Sequence, residues 1–379
     1  MNPYFVIPLS KIKSMSYLFQ NKEYHIERYP KTEQNALKAW NAADELMLGY
    51  LENEKLLSSK MAIYHDQFGF LSTLLSEYQP ILVILYSSQH KAIQQNIQQN
   101  GKESKKISFI YPLDELKETI DIALMKIPKS VDLFELYLQQ LGSQKNNKTT
   151  LIGGFMTKYF SKQMLSVAGR YYEEVEQTRA HKKARLLILK KPKKIEKQEL
   201  IREIKLDEHT SFKQYYGVFS AKHIDYASQF LMDHIQVLDM DRKIMDLGTG
   251  NGVLAWKIRQ LSSEANINLL DDDYLAIESA KLNMKEGSNY YHFSDGLLHL
   301  SNNSFDLVVS NPPFHFEYEN NIEVSLDLFR QVWKILKPGG RFQVVANQHL
   351  NYKTHLQKIF RSIEITAEND KFIVYSCTK

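Results

Sequence analysis

Short apolar runs alternate with amphipathic stretches along most of this chain. The runs MAIY (61–64), ILVIL (81–85), DIALM (121–125), KIMDL (243–247), NINLL (266–270) and FDLVV (305–309) are each followed by a stretch with helical spacing or by turn residues. Strands of this kind between helices predict doubly wound α/β domains with mainly parallel sheets. The pattern also repeats. Residues 61–75 run beside 243–258, 81–101 beside 266–287, and 121–130 beside 305–314. Matched positions give 252 − 69 = 183, 287 − 101 = 186 and 312 − 128 = 184, one offset held across three motifs. Two tandem copies of one domain are therefore expected, at 1–203 and 204–379, joined by a linker at 190–205.

The copies part where chemistry is expected. The second carries DLGTGNG (246–252), an acidic residue after its next strand, and Asn-Pro-Pro-Phe at 311–314. The first carries IYHDQFG, then Leu85 and Tyr86 in place of the acids, then Ile127, Pro128 and Lys129. One active site belongs in the second copy. There Gly248, Thr249, Gly250, Asn251 and Gly252 open an amphipathic helix over 253–261. Glycines at a strand-to-helix turn let the backbone approach a ligand closely. The helix starts too soon for a dinucleotide fingerprint and lacks its third spaced glycine. Asp246, just before the turn, repels a pyrophosphate and suits a cation. Asp271 lies nineteen residues past Gly252, placed to accept from both hydroxyls of a ribose, with Asp272 the next candidate. Asp295 and Gly296 follow a third short strand, where a carboxylate accepts from an adenine amino group. A cationic adenosine with a methyl group to give is S-adenosylmethionine.

Asn311, Pro312, Pro313 and Phe314 end the fourth strand. Proline removes a backbone donor and forces the preceding residue extended, so the strand stops on a stiff loop at the sheet edge where α/β folds bind ligands.

Composition adds limits. The 379 residues carry 48 Lys and Arg against 44 Asp and Glu, and a balance of +4 does not by itself imply nucleic acid. The run RAHKKARLLILKKPKKIEK (179–197) holds nine basic residues against one acidic. It is either a solvated linker or a phosphate-contacting surface near the junction of the copies, with Lys182, Lys183, Lys193 and Lys194 as candidates. One cysteine, Cys377, excludes an internal disulfide and suggests a reducing compartment. The N-terminal apolar stretch of six residues, Tyr4 to Leu9, with its basic residues after it, does not read as a secretory signal. No stretch approaches the ~18 apolar residues of a membrane span, so a cytoplasmic protein without a membrane partner is expected. The histidines show no paired ligand spacing, and no metal is expected.

On these residues the second half resembles class I methyltransferases that act on exocyclic amino groups. The whole chain, including YPKTEQNALKAWNAADE (29–45) and VFSAKHIDYASQFL (218–231), is similar to the bacterial ribosomal RNA guanine-N2 methyltransferases of the RlmG and RsmC type, the large-subunit branch more closely. The resemblance spans residues 25–379 and implies two tandem class I, Rossmann-like domains. The first is degenerate and free of cofactor, which suits it to RNA recognition. It further implies S-adenosylmethionine as cofactor, held by Asp246, Gly248, Gly250, Asn251, Gly252, Asp271, Asp295, Gly296 and Asn311, with Phe219 and Asp225 at its methionine end. Asn311 to Phe314 match the catalytic motif, and ribosomal RNA or a ribosomal subunit precursor is the implied partner. Thr249 departs from an expected cysteine, and Ala221 and His223 stand where Arg and Gly are common.

An exocyclic amine of guanine is a poor nucleophile because its lone pair is delocalised into the ring. Asn311 Oδ1 and the Pro312 carbonyl are the expected acceptors for its two N–H groups, and Phe314 is expected to stack on the extruded base. No strong general base is required. His315 reads as a rim residue, and His349 and Tyr352 as candidates to line the base pocket. Three alternatives stay open: an amide or adenine-N6 methyltransferase, a small-subunit rRNA enzyme, and a non-catalytic RNA-binding assembly factor.

Overall fold

The computed structural model describes residues 15–31, 37–103, 107–143, 148–312, 322–350 and 352–379. In chain order it opens with β1 (Ser16–Phe19), β2 (Lys22–His25) and α1 (Ala42–Asn53), then β3 (Met61–Tyr64), α2 (Phe70–Leu74), β4 (Ile81–Val83), α3 (Ser87–Gln99), β5 (Ser108–Ile110) and β6 (Ile122–Lys126). It continues with α4 (Val131–Gly142), β7 (Thr150–Met156), α5 (Lys162–Tyr171), β8 (Tyr172–Gln177) and β9 (Ala184–Pro192). A hairpin of β10 (Ile201–Lys205) and β11 (Ser211–Tyr215) leads into α6 (Tyr226–Met232), β12 (Lys243–Leu247), α7 (Val253–Leu261), β13 (Asn266–Asp271), α8 (Tyr274–Asn283) and β14 (Asn289–Phe293). The last elements are β15 (Phe305–Ser310), α9 (Ile322–Ile335), β16 (Leu336–Asn347), α10 (Tyr352–Leu356), β17 (Ser362–Glu368) and β18 (Phe372–Thr378).

Two seven-stranded sheets carry the chain, ordered β5-β4-β3-β6-β7-β9-β8 and β14-β13-β12-β15-β16-β18-β17. The orders match strand for strand, so the repeat expected from the offset is a repeat of topology. In each sheet the first five strands run parallel, the sixth runs against them, and the seventh pairs antiparallel with the sixth. Helices cover both faces, which is why β3, β4 and most of β12 and β15 are buried on both sides and read as near-continuous apolar runs. The expected linker at 190–205 is shorter than foreseen. Lys190 to Pro192 complete β9 and residues 201–205 form β10, leaving 193–200 without regular structure. Leu186 to Leu189 pair with β7 in the sheet, and apolar burial there overrides the flanking lysines.

The two units meet by a local exchange that follows the duplication. Ser87 N donates to Asp272 O at 2.9 Å and Tyr274 N donates to Leu85 O at 2.9 Å, around a bridge between Tyr86 and Asp273. Since 274 − 87 = 272 − 85 = 273 − 86 = 187, the same backbone positions of the two copies bond each other, as in a two-fold dimer. Tyr111 stacks on Tyr274 with ring centroids 4.4 Å apart, and Phe293 meets Tyr111 edge-on. Leu275 and Ala276 of α8, with Val218, are buried in the core of the first unit rather than that of their own.

The shared core yields a test. Leu275→Ala is expected to cost about 2–4 kcal/mol, as for a fully buried leucine. Hydrogen exchange should show protection falling in β6 of the first unit as well as in α8. A loss confined to α8 would contradict the shared core.

Candidate active site

The site is built at the C-terminal ends of β12, β13, β14 and β15, beside the switch in strand order between β13 and β15. Backbone bonds tie the strand ends together. Gly248 N and Thr249 N both donate to Leu270 O, at 2.8 and 3.1 Å, and Ser294 N donates to Asp271 O at 3.0 Å. Ser310 Oγ donates to Leu247 O at 2.7 Å.

The glycine turn needs its glycines for backbone geometry. Gly248, Gly250 and Gly252 all have positive φ, at 76°, 54° and 86°. A Cβ on Gly250 would meet nothing within 4 Å, so open space lies beside that residue, while Gly252 packs against Ala280. Asp246 is fully buried behind the turn rather than facing a ligand in front of it. Its Oδ2 accepts from Thr249 Oγ1 at 2.7 Å and from Ala255 N at 3.0 Å, pinning the turn to the first residues of α7. Its Oδ1 is buried with no partner among the described residues. Burial pushes the Asp246 carboxyl up to about 7, against the pull of those two donors. Asn251 ties the turn to the preceding hairpin through Gln214 Oε1, at 3.0 Å.

Asp271 stands directly opposite. Its Oδ2 accepts from Gly250 N at 2.9 Å and its Oδ1 from Asp273 N at 3.0 Å, which fixes the carboxylate against the glycine turn. Burial raises its pKa as well. Asp272, the second ribose candidate, is committed elsewhere. Its two oxygens accept from Ser88 N (2.7 Å) and Ser88 Oγ (2.5 Å), so it caps α3 of the first unit. Asp295 also accepts from that unit, Oδ2 from the Tyr29 hydroxyl and Oδ1 from Lys91 Nζ, one donor on each oxygen. Gly296 lies against Gln331, whose Oε1 accepts from Leu297 N.

At the end of β15, Asn311 Nδ2 donates to Asp225 Oδ2 at 2.9 Å and to Ser228 Oγ at 2.8 Å. A carboxylate only accepts, so this pairing fixes which way the amide points and turns Oδ1 away from α6. Asp225 also caps α6, taking Ala227 N and Ser228 N on the same oxygen. Pro312 is buried beside Asn311. Pro313, Phe314 and His315 lie outside the described residues. Phe219, expected at the methionine end, leaves its ring 78% exposed at the rim. His223 stacks on Tyr226, and His349 lies at the surface in the short turn after β16. Tyr352 is not a pocket residue: it is buried edge-on against Phe329 in the core.

The four basic candidates do not form one surface. Lys182 and Lys183 make the exposed turn before β9, while Lys193 follows its far end and donates to Gly169 O. Nine strand residues at about 3.3 Å each set the two pairs roughly 30 Å apart. Sequence reasoning missed Ser228, Thr249 and the three first-unit residues Ser88, Lys91 and Tyr29. Asp225 before YASQFLM is a readable helix cap, whereas contacts between copies leave no periodic signal.

The open side of Gly250 and the Asp271 carboxylate fixed beside it leave room for a nucleoside at this edge. The chain matches the RLMG N-terminal domain over residues 15–194 and the methyltransferase small domain over 209–376. It is 30% identical to the ribosomal RNA large subunit methyltransferase G of Shewanella woodyi, over 94% of this chain and 89% of that protein. It is 28% identical to the Streptomyces coelicolor protein of the same name, over 93% and 97%. Its fold superposes with a TM-score of 0.72 on the T. thermophilus 16S rRNA N2 G1207 methyltransferase RsmC, solved with AdoMet and guanosine, at 18% identity and covering 97% and 98% of the two chains.

The raised Asp246 pKa makes a prediction. A buried acid that favours its protonated form stabilises the fold fully below the unfolded pKa, and that contribution is lost as pH rises through about 7. Asp246→Asn should therefore gain roughly 2 kcal/mol relative to wild type between pH 5 and 7.5, measured by denaturant unfolding without cofactor. A constant difference across that window would show that Asp246 is already ionised in the folded protein.

Proposed function

The chain belongs to the ribosomal RNA large subunit methyltransferase G family, and on that premise we propose that it methylates the exocyclic N2 of a guanine in large-subunit ribosomal RNA. S-adenosylmethionine supplies an electrophilic methyl group on a sulfonium centre. Asp271 would receive the ribose hydroxyls beside the Gly248–Gly252 turn, and Asp295 would receive the adenine amino group.

The observation that carries the reading is the orientation of Asn311. With Nδ2 engaged by Asp225 and Ser228, Oδ1 is left to accept an N–H of the guanine amine. The Pro312 carbonyl accepts the other. Two fixed acceptors draw the nitrogen toward a pyramidal geometry and aim its lone pair along one direction, so the group is preorganised rather than recruited. Once the N2–CH3 bond had formed as the S–CH3 bond broke, the nitrogen would be a strongly acidic ammonium that loses its proton to water without a dedicated base. Phe314 is assigned to stack on the base, as the family motif implies.

RNA is held by the first unit. Its edge equivalent to the active edge carries Lys129 and Lys158, both over the Tyr159 ring at 4.6 and 5.4 Å. The Thr157 N bond to Lys183 O brings the Lys182–Lys183 turn to the same edge. This cluster, without Lys193 and Lys194, is the phosphate-contacting surface we assign.

Two outcomes are expected. Asn311→Ala should keep cofactor affinity and lose about two to three orders of magnitude in single-turnover methylation of ribosomal RNA. A fully active variant would remove the mechanism. Reversing Lys182 and Lys183 to Glu should weaken RNA binding and lower its salt dependence by about one or two charges, with the Lys193 and Lys194 reversal doing little. The opposite ranking would move the RNA surface to the other end of β9.

A further inference from the structure

Asp295 lies in the second unit, yet both of its hydrogen-bond donors among the described residues come from the first. Lys91 Nζ, on α3, reaches Oδ1 at 2.5 Å, and the Tyr29 hydroxyl reaches Oδ2 at 2.8 Å. The Asp295 side chain is only 11% exposed, while Lys91 keeps half of its side chain in solvent. Asp272 lies close enough for the two carboxylates to act on each other. Left alone, that repulsion turns Asp295 outward. Asp272 is held by its cap on α3, through Ser88 N and Oγ, while the charge of Asp295 is paired with Lys91 one turn further along the same helix. A single first-unit helix thus sets two neighbouring acids of the second. Burial and the bond to Asp295 raise the Tyr29 pKa, which keeps its hydroxyl a donor.

We propose that Lys91 and Tyr29 are positioning residues that hold the Asp295 carboxylate for the adenine amino group, so that the unit without a cofactor sets the base selectivity of the other. The inference rests on the assignment of Asp295 to the adenine end of the site. A carboxylate offers about four lone-pair positions, and two donors leave room for a third. Each existing donor fixes one oxygen, so the remaining acceptor direction is set before the ligand arrives. This goes beyond holding the units together. Gluing alone predicts no preference between ligands, whereas an aimed carboxylate prefers a base that donates there.

The test compares S-adenosylhomocysteine with S-inosylhomocysteine, in which the 6-amino donor is replaced by a carbonyl acceptor, by calorimetry on the full chain. Wild type should prefer the adenosyl ligand. Lys91→Met and Tyr29→Phe should each lower the affinity ratio about threefold, and the double variant about tenfold, by weakening the adenosyl ligand alone. Lys91→Arg should keep the ratio within about twofold of wild type, and thermal unfolding of every variant identifies any that fails to fold. Equal weakening of both ligands, with the Lys91→Arg ratio no different from that of Lys91→Met, would reduce the contacts to domain glue and overturn the inference. Asp295→Asn separates the two layers. If it abolishes the preference while the Lys91 and Tyr29 variants leave it intact, the positioning role fails and the cofactor reading stands. If Asp295→Asn leaves the preference unchanged, the adenine assignment fails and takes the inference with it.

Discussion

A primary amide presents its oxygen reliably to a substrate only when its nitrogen is engaged elsewhere, and at the end of β15 that condition is met. Asn311 gives both of its N–H groups to Asp225 and Ser228. The carboxylate that receives one of them is itself held by the Ala227 and Ser228 amides in the first turn of α6, so the orientation of the amide depends on a helix cap. The next residue is a proline, with no N–H to compete and a fixed φ. Strand, cap and proline together leave Asn311 few ways to move. On the neighbouring strand ends Asp246 and Asp271 grip the glycine turn from opposite sides.

Duplication explains the rest of the molecule. The two units share strand order, and their contact reuses one backbone segment from each copy in a reciprocal pair of bonds. The first copy lacks the first two glycines of the turn and the acids after the next strand, yet keeps the strand order. His65 has φ of +58° at the position aligned with Gly248, a conformation the first copy keeps although a histidine now occupies it. Leu85 and Tyr86 stand where acids stand in the second copy. Their backbone now forms the junction, and Asp272 caps the helix after them.

Much of this was legible in the sequence for physical reasons. Parallel strands buried on both faces leave apolar runs, glycine turns leave glycines, and Asn-Pro-Pro leaves its own signature; β12, β15 and α7 fall where those signals place them. What was not legible has a common cause. Whether an acid faces a ligand or caps another unit's helix depends on three-dimensional approach, which spacing does not encode, and Asp272 is the instance. Charge misled in the same way. Lys182 and Lys193 are eleven residues apart in sequence but lie at opposite ends of an extended strand whose apolar residues bury it in the sheet. Its place after β16 makes Tyr352 a candidate to line the pocket, yet its ring fills the core beside Phe329.

The central claim is that Asn311 Oδ1 recognises the exocyclic amine of guanine. The most direct measurement is the affinity of guanosine against inosine, which lacks that amine, in the presence of S-adenosylhomocysteine, for wild type and Asn311→Ala. The account predicts a preference for guanosine of about ten- to thirtyfold in wild type, the scale of two hydrogen bonds, falling by about three- to tenfold in the variant, where the Pro312 carbonyl alone still accepts. An unchanged preference in Asn311→Ala would contradict it.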